Sequence, residues 1–124
     1  MAESIYAENY ALAVQGESFA ADVYTDLGYD VVARNVRTRV GEIDLIVRDA
    51  DGVIVFVEVK ARRGRAFGAA EAVTAKKLNT MRRCAAQWLA GRPYSAVRFD
   101  VAEVIVSGGE MSIHLFKDVD DGSC

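Results

Sequence analysis

The chain has 124 residues, 52% hydrophobic and 27% charged, with one Pro, one His and two Cys: one globular domain, able to bury about two-thirds of its unfolded surface without staples. No apolar run approaches the ~20 residues of a spanning helix. The acidic start at Glu3 lacks a signal's basic region, and Cys84, Cys124 and His114 are too isolated for a disulfide framework or a zinc knuckle, so a cytoplasmic protein without membrane attachment is expected. The net charge of -3 hides an asymmetry: residues 34–98 hold 14 of the 15 basic residues against six acids, +8, and the flanks carry 12 acids and one Lys, -11. A basic centre framed by acidic ends points to a polyanionic partner.

The first element is an amphipathic helix from about Glu8 to Leu27, with Leu12, Gly16, Phe19, Val23 and Leu27 spaced by three and four and Gly28 as the stop. Residues 29–36, 42–49 and 52–60 read as three consecutive strands of an antiparallel meander, the last two bracketing an Asp51-Gly52 turn signal. A second helix spans Glu71 to Ala90, capped by Thr74, with an apolar stripe of Leu78, Met81, Ala85, Trp88 and Leu89, and Gly91 and Pro93 end it. Strands 96–106 and 111–116 follow, turned by Gly108-Gly109. The order α-β-β-β-α-β-β predicts an α/β domain in which helices cover a mixed sheet of about five strands. The long link through the second helix permits a right-handed parallel crossover. The domain covers residues 1–117, and the acidic tail, 118–124, is expected to be disordered.

Period-two alternation puts Glu42, Asp44, Ile46 and Arg48 on one face of the second strand and Ile43, Leu45 and Val47 on the other. In the third strand Ile54, Phe56, Glu58 and Lys60 share a face opposite Val53, Val55, Val57 and Val59, so Glu58 and Lys60 project together ~6.6 Å apart. A two-residue Asp51-Gly52 loop would set Asp44 against Val59, on the wrong face. A three-residue loop, Ala50-Asp51-Gly52, sets it opposite Glu58 and puts Gly52 where a left-handed residue is needed. Two facing carboxylates repel unless a cation lies between them, and hard oxygen donors of this kind suit Mg²⁺ or Mn²⁺. Taken alone, a Glu-x-Lys pair also suits a solvated strand face, but strands this apolar bury their acids, where unpaired charge is costly.

The run Gly41-Glu42-Ile43-Asp44-Leu45-Ile46, followed by Val55-Phe56-Val57-Glu58-Val59-Lys60-Ala61-Arg62, resembles the YraN-like family of uncharacterised bacterial proteins. That family is similar to the PD-(D/E)-x-K nuclease superfamily, whose fold is the restriction-endonuclease-like three-layer sandwich. Gly16-Glu17, Gly28-Tyr29, Arg34-Asn35-x-Arg37, Lys76-Lys77 and Arg98-Phe99-Asp100-Val101 extend the match over nearly the whole chain. Ile43 stands where the superfamily signature has Pro.

The resemblance implies that Asp44, Glu58 and Glu17 ligate Mg²⁺ or Mn²⁺, that Lys60 positions or activates the attacking water, and that a phosphodiester of nucleic acid, DNA over RNA and branched or damaged forms included, is hydrolysed. The alternative is a nucleic-acid-binding or assembly module without turnover; a homodimer fits either. Arg62, Arg63 and Arg65 are expected in a basic loop after the third strand, where phosphate contacts are natural. Lys77, on the polar side of the second helix with Lys76, Arg82 and Arg83, would extend that track, and Gln87 is a weaker candidate to reach the site. Arg98 and Asp100 are expected to pair structurally, and Tyr24, Trp88 and Phe99 to be core.

Overall fold

The computed structural model of the protein describes residues 2–64 and 74–120. Helix α1 (Ala2–Asp26) is followed by strands β1 (Asp30–Arg37), β2 (Glu42–Arg48) and β3 (Ile54–Arg63), helix α2 (Ala75–Leu89), and strands β4 (Val97–Ser107) and β5 (Glu110–Phe116). The five strands lie in chain order in one sheet; β3 and β4 are parallel and every other neighbouring pair is antiparallel. This is the expected α-β-β-β-α-β-β order, with the meander and the parallel pair across α2.

Each face of the sheet carries one helix. Ala20, Ala21 and Tyr24 of α1 pack on Leu45, Val47, Val55, Val57 and Ala102, and Met81, Cys84 and Ala85 of α2 pack on Ile43, Ile46, Ile54 and Phe56. The result is a three-layer α/β/α sandwich. The buried stripe of α1 is rotated from the expected one: Leu12, Gly16, Ala20, Ala21 and Tyr24 are buried while Leu27 is 56% exposed. Small residues win this face because the helix comes too close for larger ones, a Cβ on Gly16 falling 2.5 Å from that of Ala61.

Helix α1 begins at Ala2, earlier than expected, through a run free of Gly and Pro. It ends in a Schellman motif, Gly28 N–H donating to Thr25 O and Tyr29 N–H to Tyr24 O. Gly28 takes φ +96, and the Tyr29 ring folds edge-on against Tyr24, 5.0 Å between centroids. Helix α2 starts at its expected cap: the Thr74 hydroxyl accepts from Lys77 N–H at 3.1 Å.

Two expectations are corrected. Arg62 and Arg63 are not in a loop: β3 runs on past Lys60, pairing them with Ile105 and Val106 of β4, because a parallel partner supplies ladder hydrogen bonds that the charged sequence does not advertise. Arg65, with Gly68 and Glu71, lies outside the described residues. Nor does the tail fray between Asp118 and Asp120, while residues 121–124 lie outside the described residues. Asp118 N–H donates to Asp100 Oδ1 at 3.0 Å, Val119 N–H to Phe99 O at 2.8 Å, and Asp120 takes both Nε and Nη2 of Arg82.

Candidate functional site

Register brings the acids together. The β2–β3 ladder pairs Leu45 with Val57, Ile46 with Phe56 and Arg48 with Ile54, the register of the three-residue loop. Asp49 N–H bonds Val53 O, Gly52 takes φ +87, and Asp49 Oδ1 accepts from the N–H groups of Asp51 and Val53. Carried one residue further, this register sets Asp44 opposite Glu58. There the regular ladder stops. Asp44 Oδ2 accepts the Val59 N–H at 2.8 Å, so a side-chain oxygen occupies the place of a β2 carbonyl. This break explains one departure from alternation: Ile43 packs on the α2 side with Ile46 rather than with Leu45 and Val47.

Four acids in the described chain are buried: Asp44, Glu58, Asp100 and Glu103. Two have arginines. Arg98 grips Asp100 through Nε to Oδ1 at 2.9 Å and Nη2 to Oδ2 at 3.0 Å, with Tyr24 Oη donating at 2.8 Å. Arg62 Nε reaches Glu103 Oε2 at 3.2 Å. Such pairs are what burial of a carboxylate requires, and they read as structure. The Arg98–Asp100 pairing is as expected, and that network drives the Tyr24 phenol well above its ordinary pKa, chiefly by burial and then by the Asp100 charge.

Among the described residues, Asp44 and Glu58 have no such arginine. They face each other, both 9% exposed, and burial first, then the hydrogen bond and charge of Glu58, carry the Asp44 carboxyl from its ordinary 3.8 up to about 8; the Val59 N–H opposes this. The compensating cation is Lys77, whose Nζ stands 2.9 Å from Glu58 Oε2 and whose pKa the Glu58 contact raises. That contact is ionic rather than aligned: Oε2 is sealed from solvent and accepts no hydrogen bond of good geometry. Lys77, expected on a solvent-facing phosphate track, therefore turns into the site.

Lys60 shares the sheet face of Glu58 and is exposed, adjacent across the ladder to Glu103. Arg63 is exposed too. Glu17 lies half-buried at the edge of the pair, its pKa raised by burial, then by the charges of Glu42 and Glu58, with Asn35 beside it favouring the charged form. It lines a cleft of about 390 Å³ with Asn35, Arg37 and Glu42. Gln87 does not reach the site, because its Oε1 accepts Arg39 N–H at 3.1 Å and steadies the β1–β2 turn. A participant not singled out from the sequence is Asn35, which holds φ +50 inside β1 and by register stands across from Asp44. Its signal was its residue type, since Asn tolerates the left-handed region better than other non-glycine residues.

Among the described residues no three Asp, Glu, His or Cys side chains gather into a group that could hold a metal ion, and no helix is long and apolar enough to cross a membrane.

A family model described as "Uncharacterised protein family UPF0102" matches residues 16–104. A UPF0102 protein of Corynebacterium efficiens is 52% identical over 119 residues, covering 94% of this chain and 97% of that protein. One from Symbiobacterium thermophilum is 54% identical over 92 residues, 72% of this chain and 77% of the other. A solved structure titled "Structure of EndoMS-dsDNA2 complex" is similar at a TM-score of 0.40 and 24% identity, over 66% of this chain and 30% of that one.

Proposed function

The chain belongs to the UPF0102 family, the YraN-like family whose motifs it carries, and from that membership and its site we propose a metal-dependent endonuclease that hydrolyses phosphodiester bonds of DNA. The observation that carries this reading is the buried Asp44–Glu58 pair, which among the described residues has no arginine and no aligned donor to Glu58 Oε2. A structural pair would have been neutralised as Asp100 and Glu103 are; this one is left to a lysine.

The residues fit Mg²⁺ or Mn²⁺. Such ions commonly take one or two carboxylates and fill their remaining positions with waters and substrate phosphate, so a complete protein cage is not required. Asp44 and Glu58 would hold the ion, with the nearby charge of Glu17 acting on both. A bound ion of this class would polarise the phosphoryl oxygen and acidify a coordinated water.

The protein's own groups supply the rest. Val59 N–H fixes the Asp44 carboxylate, so its rotamer is set before any ligand arrives. Lys60, exposed on the Glu58 face, offers an ammonium to the developing negative charge. Lys77, whose Nζ lies 2.9 Å from Glu58 Oε2, supplies positive charge beside that carboxylate. Arg63, exposed at the end of β3, lies five residues past Glu58 and by alternation on the opposite face, so a phosphate it takes would lie away from the acid pair.

The test is cleavage of supercoiled, branched and single-stranded DNA with Mg²⁺ or Mn²⁺ by wild type, Asp44→Ala and Lys60→Ala. Cutting by wild type alone supports the assignment. Equal cutting by the variants overturns it, and tight binding without cutting by wild type would favour a non-catalytic nucleic-acid module.

A further inference from the structure

The C-terminal end of α2 builds a second feature that the Asp44–Glu58 site does not use. After Leu89 the chain turns through Gly91, at φ +80, and Arg92 N–H bonds Leu89 O at 3.0 Å. Arg92 is thereby folded back: its Nε donates to Trp88 O at 2.8 Å and its guanidinium carbon lies 3.8 Å from the Trp88 ring centroid. On the core side the indole meets Phe56 edge-on, 5.8 Å between centroids. One aromatic plane is thus anchored from within and capped by a second, cationic plane.

Cavities open on both sides of Trp88. One, of about 320 Å³, has Val32, Ile54 and Leu89 as apolar walls and Arg48 and Arg92 as its charged groups. The other, of about 460 Å³, includes Arg37, Arg39 and Gln87. Among the described residues the two cavities are lined by four arginines and no carboxylate. Two of these arginines have only loose, solvated partners, Arg37 with Glu42 at 3.7 Å and Arg48 with Asp30 at 3.8 Å. Pairs of this kind contribute ~1 kcal/mol or less and exchange readily for phosphate. Beside Arg92, Tyr94 is 96% exposed, an aromatic face that folding has left wholly in water.

We infer that this cluster is a binding site for an unpaired nucleotide, its base stacking on the Trp88–Arg92 and Tyr94 planes and its phosphates taken by Arg48 and Arg39. Stacked aromatic and guanidinium planes recognise any base through its π-face, with arginines on the backbone, and that is how single strands are held. A base inside a duplex presents no free face, so the site selects strands that are single or locally opened. The inference rests on the nuclease reading and deepens it. Lys77 and Trp88 lie eleven residues apart on α2, which is ~17 Å, or roughly five base steps. A strand crossing the Asp44–Glu58 site would therefore place an unpaired base a few nucleotides from the cut at the Trp88 platform.

Trp88 is the only tryptophan of the chain, so its emission reports this site directly. The full-length protein is titrated in EDTA, which prevents cleavage, with a labelled twelve-residue oligothymidine and with a blunt twelve-pair duplex, following Trp88 emission and probe anisotropy together. The expected result is saturable quenching by oligothymidine and little by duplex. Arg92→Ala and Tyr94→Ala, both at exposed positions, should each weaken oligothymidine binding by about five- to 150-fold and leave the weaker duplex binding unchanged. Trp88→Phe keeps a ring against Phe56 and should bind by anisotropy with a smaller loss.

Anisotropy that rises while Trp88 emission stays flat and both alanine variants bind like wild type overturns the site and leaves the nuclease reading standing. Quenching by duplex as strong as by oligothymidine overturns the selection for unpaired bases. Absence of any nucleic-acid binding at low salt overturns the nuclease reading itself, and this inference with it.

Discussion

Replacing Asp44 with Asn tests whether the site is strained by charge. The amide keeps an acceptor for Val59 N–H, which bonds Asp44 Oδ2 at 2.8 Å, and offers Glu58 a donor where the carboxylate offers repulsion. The wild-type carboxyl holds its proton up to about 8 in the fold, mainly because it is buried and then because Glu58 faces it, whereas an unfolded Asp releases it near ~3.9. Between these values the folded state binds the extra proton, so the metal-free wild type loses stability as pH rises, by up to about 1.4 kcal/mol per pH unit for one proton. The loss is complete only above the folded pKa.

Asp44→Asn escapes this loss. Its advantage over wild type should be near zero at pH 4 and grow to a few kcal/mol by pH 8. Urea unfolding of both proteins in EDTA at pH 4.5, 6 and 8 measures it. Adding Mg²⁺ or Mn²⁺ at pH 8 should raise the wild-type midpoint and leave Asp44→Asn unmoved, since only a ligand that binds the native state stabilises it. An Asp44→Asn advantage that does not change with pH, or a wild type more stable than the variant at pH 8 without metal, refutes the reasoning.

Lys60→Ala should abolish cleavage and leave stability within about 0.5 kcal/mol, because the side chain is exposed; Lys77→Ala should instead cost roughly 1 kcal/mol of metal-free stability by removing the 2.9 Å contact to Glu58. Denaturant midpoints set beside single-turnover cleavage separate the two lysines. Gly16→Ala gains about 1 kcal/mol of helix propensity but drives a methyl to 2.5 Å from Ala61 Cβ, so overpacking of about 1–3 kcal/mol prevails. The variant should unfold earlier in urea, and Ala61→Gly in the same chain should restore it. Asp100→Ala leaves the Arg98 guanidinium and the Tyr24 hydroxyl without their acceptor, and should cost about 3–5 kcal/mol, read as a fall in thermal midpoint with no effect specific to the metal-bound protein.

What was legible in the sequence was local. Gly52 at the third position of the β2–β3 loop determined its length, the length determined the register, and the register put Asp44 opposite Glu58. Thr74 marked the start of α2, and Gly28 the stop of α1. What was not legible depended on which elements meet. The polar run at Arg62 and Arg63 is strand because β4 lies beside it, and nothing within residues 61–63 records that neighbour. The buried face of α1 follows Ala20, Ala21 and Tyr24 rather than the larger Phe19 and Val23, since close approach at Gly16 matters more there than apolar area. Lys77 occupies a polar position of its helix, and only docking of α2 against β3 turns it onto Glu58.

The same docking decides what the basic surplus does. Residues 34–98 hold the basic surplus, yet several of their cations are engaged inside the protein: Arg98 by Asp100, Arg62 by Glu103, Arg82 by Asp120 and Lys77 by Glu58. Each neutralises an acid that folding has buried or drawn in. Their value to a nucleic acid is correspondingly lower, because a phosphate must first displace a well-placed carboxylate. Among the described residues of that stretch, the cations left to solvent or to loose partners are Lys60 near the acid pair, Arg37, Arg39 and Arg48 around Trp88, and the exposed Arg34, Arg63, Lys76 and Arg83 elsewhere. The salt dependence of binding should therefore fall more on removing Arg39 or Arg48 than on removing Arg82.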